Sequence, residues 1–201
     1  MTTTTGNFEL KHGDDFIIAI DVSGSMATTD CPGGLSRFDF AMEKTRQFCR
    51  EAEKIDADGI SVITFGHSVQ SYENVTNVKV EEVLTRAKPI EMATRTDLAI
   101  NTAYGEHTKN GNDRTILLIV TDGEPTSMSD VFHSIATITG KVKDPAEFRI
   151  CFLTVGEINQ GLRVFLTKLD DNIPGAKHDI VDVLPLNEVD FYAAAAGALT
   201  G

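Results

Sequence analysis

Four short apolar runs constrain this chain more than any other feature: FIIAI at 16–20, ISVITF at 60–65, ILLIV at 116–120 and ICFLTV at 150–155. Each is rich in β-branched residues and bounded by Gly or Asp. A strand with no polar face has to be covered on both sides, so such runs predict a parallel sheet with a layer of helices on each face. Helical patterns lie between them at 36–54, 97–109, 129–139 and 160–170. In the first, Phe38, Ala41, Met42, Phe48, Cys49 and Ala52 form one apolar stripe. In the last, Leu162, Phe165, Leu166 and Leu169 do the same. Residues 69–73 follow the second run after Gly66-His67-Ser68, which predicts a hairpin return and an antiparallel edge strand. A weaker sixth strand is expected at 178–183. A closing helix is expected at 186–199, with Val189, Tyr192, Ala193, Ala196 and Leu199 on its apolar face. The fold class is therefore α/β: a doubly wound, Rossmann-like, mostly parallel six-stranded sheet with one antiparallel edge strand and helices on both faces. Residues 1–14 read as a polar lead-in and 15–201 as a single domain.

A chain of 201 residues is long enough to bury a core without metal or disulfide staples. The net charge of −12 leaves no basic excess to neutralise phosphates, so nucleic acid is not expected as a partner. No stretch approaches the ~18 apolar residues that span a bilayer, and no membrane association is expected. The opening MTTTTGNFELKH lacks a basic start followed by an apolar stretch, which argues against a secretory leader. Cys31, Cys49 and Cys151 are widely spaced and form no CxxC pair, so neither a disulfide framework nor a zinc site is expected. Together these features fit a reducing, cytoplasmic setting. Cys151 lies in an apolar run and is expected in the core. Cys31 precedes Pro-Gly-Gly and is expected in an exposed loop.

Ligands of open parallel sheets gather beyond the carboxyl ends of the strands. After the first run comes Asp21-Val22-Ser23-Gly24-Ser25, and after the third comes Thr121-Asp122-Gly123-Glu124-Pro125. Thr94-Arg95-Thr96-Asp97 opens the helix at 97–109. Asp, Ser and Thr supply hard oxygen donors, which suit Mg²⁺, Mn²⁺ or Ca²⁺. Ser23 and Ser25 stand two apart, so an extended turn points both hydroxyls at one place, and Gly24 lets the backbone bend closely. Neutral hydroxyls leave most of a cation's charge unspent, so it still attracts one more anionic ligand from outside.

The DxSxS motif at 21–25, Thr96 at a helix start and TDG at 121–123 resemble the metal-ion-dependent adhesion site (MIDAS) of von Willebrand factor type A (VWA) domains. The resemblance runs from about Asp15 to about Leu199. It implies that Ser23, Ser25 and Thr96 bind the metal directly, while Asp21 and Asp122 act largely through water or hydrogen bonds, or Asp122 directly in a closed state. It also implies a protein partner that presents Asp or Glu to the metal; in small intracellular members this is in some cases an AAA+ ATPase or another complex subunit. Where the family often has Gly-Gly before the threonine, this chain has Thr94-Arg95, and Arg95 offers a charge that could guide an acidic partner.

Two other readings bear on the same residues. A Mg²⁺-dependent phosphohydrolase would also place an aspartate at the end of the first strand, but it wants a second carboxylate two residues later, where this chain has Ser23. There is no G-x-S-x-G elbow and no P-loop or G-x-G-x-x-G cradle, so enzymatic activity is not expected. The other alternative is a structural scaffold whose metal site is vestigial. By themselves, DxSxS is also an ordinary turn and helix cap, and Asp122-Gly123 a common turn pair. Asp97 reads as a first-turn helix charge, Glu124 as solvated, and His67, His107, His133 and His178 as structural.

Overall fold

The computed structural model describes residues 13–55, 58–171, 173–186 and 191–197. Strands β1 (Asp14–Asp21), β2 (Ile60–Phe65), β3 (Val69–Val75), β4 (Arg114–Thr121), β5 (Phe148–Thr154) and β6 (Val181–Pro185) form one sheet in the order β3-β2-β1-β4-β5-β6. Five of them run parallel, and β3 returns antiparallel along β2, as the hairpin reading predicts. Helices α1 (Arg37–Ala52), α2 (Val80–Arg86), α3 (Thr96–Asn110), α4 (Met128–Thr139), α5 (Gln160–Asp171) and α6 (Phe191–Gly197) connect and cover the strands.

Strand alternation assigns the two layers. Phe16, Ile18 and Ile20 of β1 face the cluster built with α1, α2 and α6, where Phe48 meets Phe16 edge-on at 5.3 Å. Ile17 and Ala19 face the opposite cluster, built with α3, α4 and α5, where Phe165 meets Phe152. β1, β2, β4 and β5 are buried along nearly all their length, which is why their sequences carry no polar alternation.

This order positions the site. From β1 the chain crosses to β2 on one side, and after β3 it returns over the sheet through α3 to β4 on the other side of β1. The carboxyl ends of β1 and β4 thus flank a topological switch point, where loops diverge and leave a crevice. Asp21 ends β1 and Asp122 follows the last residue of β4.

Several expectations are corrected in detail. The sixth strand begins at Val181 rather than 178, because pairing with β5 starts at Ile150↔Val181 and runs on to Thr154↔Pro185. A proline is tolerated there because β6 is an edge strand. Phe40 is buried as well as the expected stripe of α1. Cys31 is buried, not exposed: the 31–35 turn closes on itself through Cys31 N–H to the Leu35 carbonyl (3.2 Å) and packs against the core. The closing helix turns Phe191, Ala194 and Ala195 inward while Ala193 is exposed. The bulky Phe191 ring, 6.0 Å from Phe48, takes the buried face that the sequence assigns to a different stripe. Val189 and Leu199, like the lead-in at 1–12, lie outside the described residues.

Between α2 and α3 the chain crosses the strand ends. Glu91 N–H donates to the Val22 carbonyl (3.1 Å), and Gly24 N–H donates to the Glu91 carbonyl (2.9 Å). The Glu91 carboxylate accepts from Ser68 N–H (2.9 Å) and the Ser68 hydroxyl (3.1 Å). Gly66 lies beneath it, where a Cβ would come within 2.6 Å of the Glu91 Cβ. Gly66→Ala is expected to push this segment off the strand ends and to lower stability by about 1–3 kcal/mol, the usual range for overpacking. Urea denaturation checks this; unchanged stability would show that the segment yields freely.

Candidate metal centre

Four of the five candidate residues meet in one hydrogen-bonded chain. The Asp21 carboxylate is fully buried; it accepts from Ser23 N–H (2.8 Å) and from the Thr121 hydroxyl (2.7 Å). It thereby fixes the turn that leaves β1 and ties it to the end of β4. The Ser25 hydroxyl donates to Asp122 Oδ1 (2.8 Å) and lies 3.1 Å from the Ser23 hydroxyl. The Ser25 proton is engaged with Asp122, and the single Ser23 proton has two acceptors to choose from, the Ser25 oxygen and the Asp21 carboxylate. The Ser25 oxygen keeps a lone pair directed away from Asp122. Ser25 is exposed whereas Ser23, Asp21 and Asp122 are buried, so solvent reaches the group from the Ser25 side.

Thr96 opens α3 and is buried, but no hydrogen bond among the described residues joins it to the other four. Backbone bonds set its position. Arg95 N–H donates to the Gly66 carbonyl (2.9 Å), and Thr94 and Thr126 exchange bonds between the loops before α3 and after β4. Arg95 has φ −86°, ordinary for any L-residue, so this loop requires no glycine before the threonine. Asp97 is a first-turn residue of α3, as expected. It is also held bidentately by Arg95 (2.8 and 2.7 Å), whose guanidinium keeps its carboxyl below the usual range. Arg95 is thus paired within its own loop. Glu124 is exposed, and His107 is a core residue with Nδ1 2.9 Å from the Thr115 hydroxyl.

The sequence reading missed Arg37. Its Nη1 donates to Asp122 Oδ2 (2.7 Å), while Nε and Nη2 hold Asp30 (2.9 and 2.5 Å). One signal was available: Arg37 is the first residue of α1, and a cation there opposes the helix dipole unless carboxylates compensate it. Thr121 reads in the sequence only as a strand end, yet its hydroxyl donates to the Asp21 carboxylate.

Burial pushes the Asp21 carboxyl up to about 6; its bonds from Thr121 and Ser23 oppose this, and the charge of Asp122 adds to it. Among the described residues, no three His, Cys, Asp or Glu gather where they could hold a metal ion. A cation here therefore has to rely on hydroxyl oxygens together with two carboxylates. Two serine hydroxyls and one Asp122 oxygen, each within hydrogen-bond distance of the next, are hard donors of the kind that suit Mg²⁺ or Mn²⁺. The residues fit such an ion.

Comparison with known proteins agrees with this architecture. The sequence profile of the von Willebrand factor type A domain matches residues 16–124, more than half of the chain, and the chain belongs to that family. VWA domains are generally protein–protein interaction modules. No curated protein matches the chain. Among solved structures it is similar to the VWA domain of SpRpn10, with TM-score 0.62, 12% identity and coverage of 90% of this chain and 93% of that one. It is also similar to manganese-loaded TRAP of Plasmodium vivax, with TM-score 0.60, 13% identity and coverage of 92% and 73%. The PilB minor pilin of Streptococcus sanguinis matches with TM-score 0.60 and 13% identity over 92% of this chain and 59% of the pilin. At these identities the likeness is one of fold. No helix among the described residues is long and apolar enough to cross a membrane.

The raised Asp21 value gives a signed prediction for the metal-free protein. The unfolded carboxyl titrates near 3.8 and the folded one near 6, so the folded state holds the extra proton between those values. Stability should fall as pH rises from 4 to above 6, by at most about 3 kcal/mol, taking ~1.4 kcal/mol for each of roughly two pH units. Asp21→Asn keeps the shape and removes the charge. In chelator it should be more stable than the parent at pH 7.5, with the gap closing near pH 4. A gap that stays constant over that range would show that Asp21 is not the titrating group.

Proposed function

We propose that this VWA domain is a metal-dependent protein-binding module. Ser23, Ser25 and Thr96 would hold a divalent cation, Mg²⁺ or Mn²⁺ and less readily Ca²⁺, with Asp21 and Asp122 completing a MIDAS. A partner's Asp or Glu carboxylate would take the remaining position on the ion. One observation carries this reading: the exposed Ser25 hydroxyl donates a hydrogen bond to Asp122 with the Ser23 hydroxyl 3.1 Å away, which gathers hard donors at a switch point open to solvent. The manganese-loaded state of the similar TRAP structure supports it.

What the chain's residues do follows from their bonds. Asp21 fixes the β1 turn so that the two serine oxygens converge. Asp122 accepts the Ser25 hydrogen bond, which turns a lone pair of the hydroxyl oxygen outward. The partly neutral donor set preserves the ion's pull on an external carboxylate. A phosphohydrolase reading lacks support, because Ser23 stands where that chemistry places its second carboxylate, and a serine hydroxyl is no substitute for a carboxylate acid/base. The intact hydrogen-bonded chain argues against a vestigial site, which would be free to lose these groups. We place the protein in the cytoplasm, with a partner that is a subunit of a larger assembly, such as an AAA+ ATPase.

Titration with Mn²⁺ or Mg²⁺ is expected to show one site and to raise the melting temperature. An ion that binds only the native state stabilises it by about 2.7 kcal/mol at a hundredfold excess over Kd. Ser25→Ala should weaken binding roughly tenfold, the loss of one good donor at about 1.4 kcal/mol, while the melting temperature in chelator stays close to that of the parent. If Ser25→Ala unfolds the chain, the hydroxyl is a structural cap and the assignment fails.

A further inference from the structure

We propose that the Arg37–Asp30 pair sets the charge of the metal centre: Arg37 is a positioning residue that claims one oxygen of Asp122 and weakens its hold on the cation, and Asp30 tempers that effect. The inference rests on the metal-binding reading above and concerns how this chain tunes it.

Arg37 is held in place at every polar end. Its backbone N–H donates to the Thr28 carbonyl (2.9 Å), which anchors it to the loop leaving the 3-10 turn at Gly24–Ala27. Its guanidinium forks onto Asp30 through Nε and Nη2, and Nη1 reaches Asp122. Gly156, at φ +77°, makes the room: a Cβ there would fall onto the Arg37 Nε. Both sides of the guanidinium are thus built for it, one by a carboxylate and one by the missing side chain. The planar fork grips Asp30 with two nitrogens while a third reaches Asp122, a geometry that the single nitrogen of a lysine cannot reproduce.

The charges differ in how well water screens them. The Asp122 side chain is fully covered and Arg37 is 12% exposed, while Asp30 is 28% exposed. Arg37 therefore acts on Asp122 in poorly screened surroundings, and Asp30 answers it through a more solvated contact. With Oδ2 committed to Arg37 and Oδ1 facing Ser25, Asp122 can turn only Oδ1 to a cation beside the serines. The cation is bound less tightly than by a free carboxylate and keeps more of its charge for an external ligand.

The test compares Mn²⁺ dissociation constants of the parent, Arg37→Met, Arg37→Lys and Asp30→Asn, by calorimetry and by the spin resonance of free Mn²⁺. Melting curves in chelator confirm that each is folded. Removing a unit charge close to the ion should tighten Mn²⁺ roughly three- to tenfold in Arg37→Met. Asp30→Asn leaves Arg37 unopposed and should weaken Mn²⁺ roughly two- to threefold, less because Asp30 is better solvated. Arg37→Lys keeps the charge and should stay nearer the parent than Arg37→Met does. Opposite signs for Arg37→Met and Asp30→Asn are what a merely structural pair would not give. Weakening in both, or no change in either while the parent binds Mn²⁺, overturns this proposal and leaves the metal site standing. Absence of Mn²⁺ binding in the parent and all variants overturns the metal site itself, and this proposal with it.

Discussion

A fully buried carboxylate at the end of the central strand is the constraint on which the site depends. Asp21 lies where β1 loses its strand neighbours, at the switch point between β1 and β4. Backbone groups that leave a sheet there need other partners, and Asp21 supplies one to Ser23 N–H. Its second oxygen takes the Thr121 hydroxyl, so the same group locks two strand ends together. Burying it ionised is costly, which is why its carboxyl titrates near 6 in the absence of any cation. Neighbouring positive charge relieves that cost, and a divalent ion beside the serines would supply it.

The sheet was legible in the sequence because its strands are covered on both faces, and continuous β-branched runs have few other uses. The antiparallel return of β3 followed from the short Gly66-His67-Ser68 link. What was not legible depended on partners distant in sequence. β6 could not be bounded from its own residues, since its start is set by pairing with Ile150. Cys31 sits in a loop, as Pro-Gly-Gly announces, but whether a loop is covered is decided by what packs over it. The inward face of α6 was misjudged because small alanines fit either side, and the Phe191 ring settled the matter.

Within the site, the motif residues were legible because their chemistry is unusual for strand ends. Asp21, Ser23, Ser25 and Asp122 share one hydrogen-bonded chain, while among the described residues no hydrogen bond joins Thr96 to them, and the backbone bonds of its neighbours Thr94 and Arg95 set where α3 begins. Arg95, which the sequence offered as a guide for acidic partners, is occupied with Asp97. Arg37 entered the sequence reading only as part of a helical stretch. Its side chain spans from Asp30, seven residues away, to Asp122, eighty-five residues away, and only the folded chain brings these together.

The central claim is that a divalent ion binds among Ser23, Ser25, Thr96 and Asp122. Anomalous diffraction at the manganese edge, from crystals soaked in millimolar Mn²⁺, tests it most directly. The account predicts one strong peak at the carboxyl ends of β1 and β4, within coordination distance of the Ser23 and Ser25 hydroxyls. A map with no peak there, or with its main peak at another cluster of carboxylates, would contradict it.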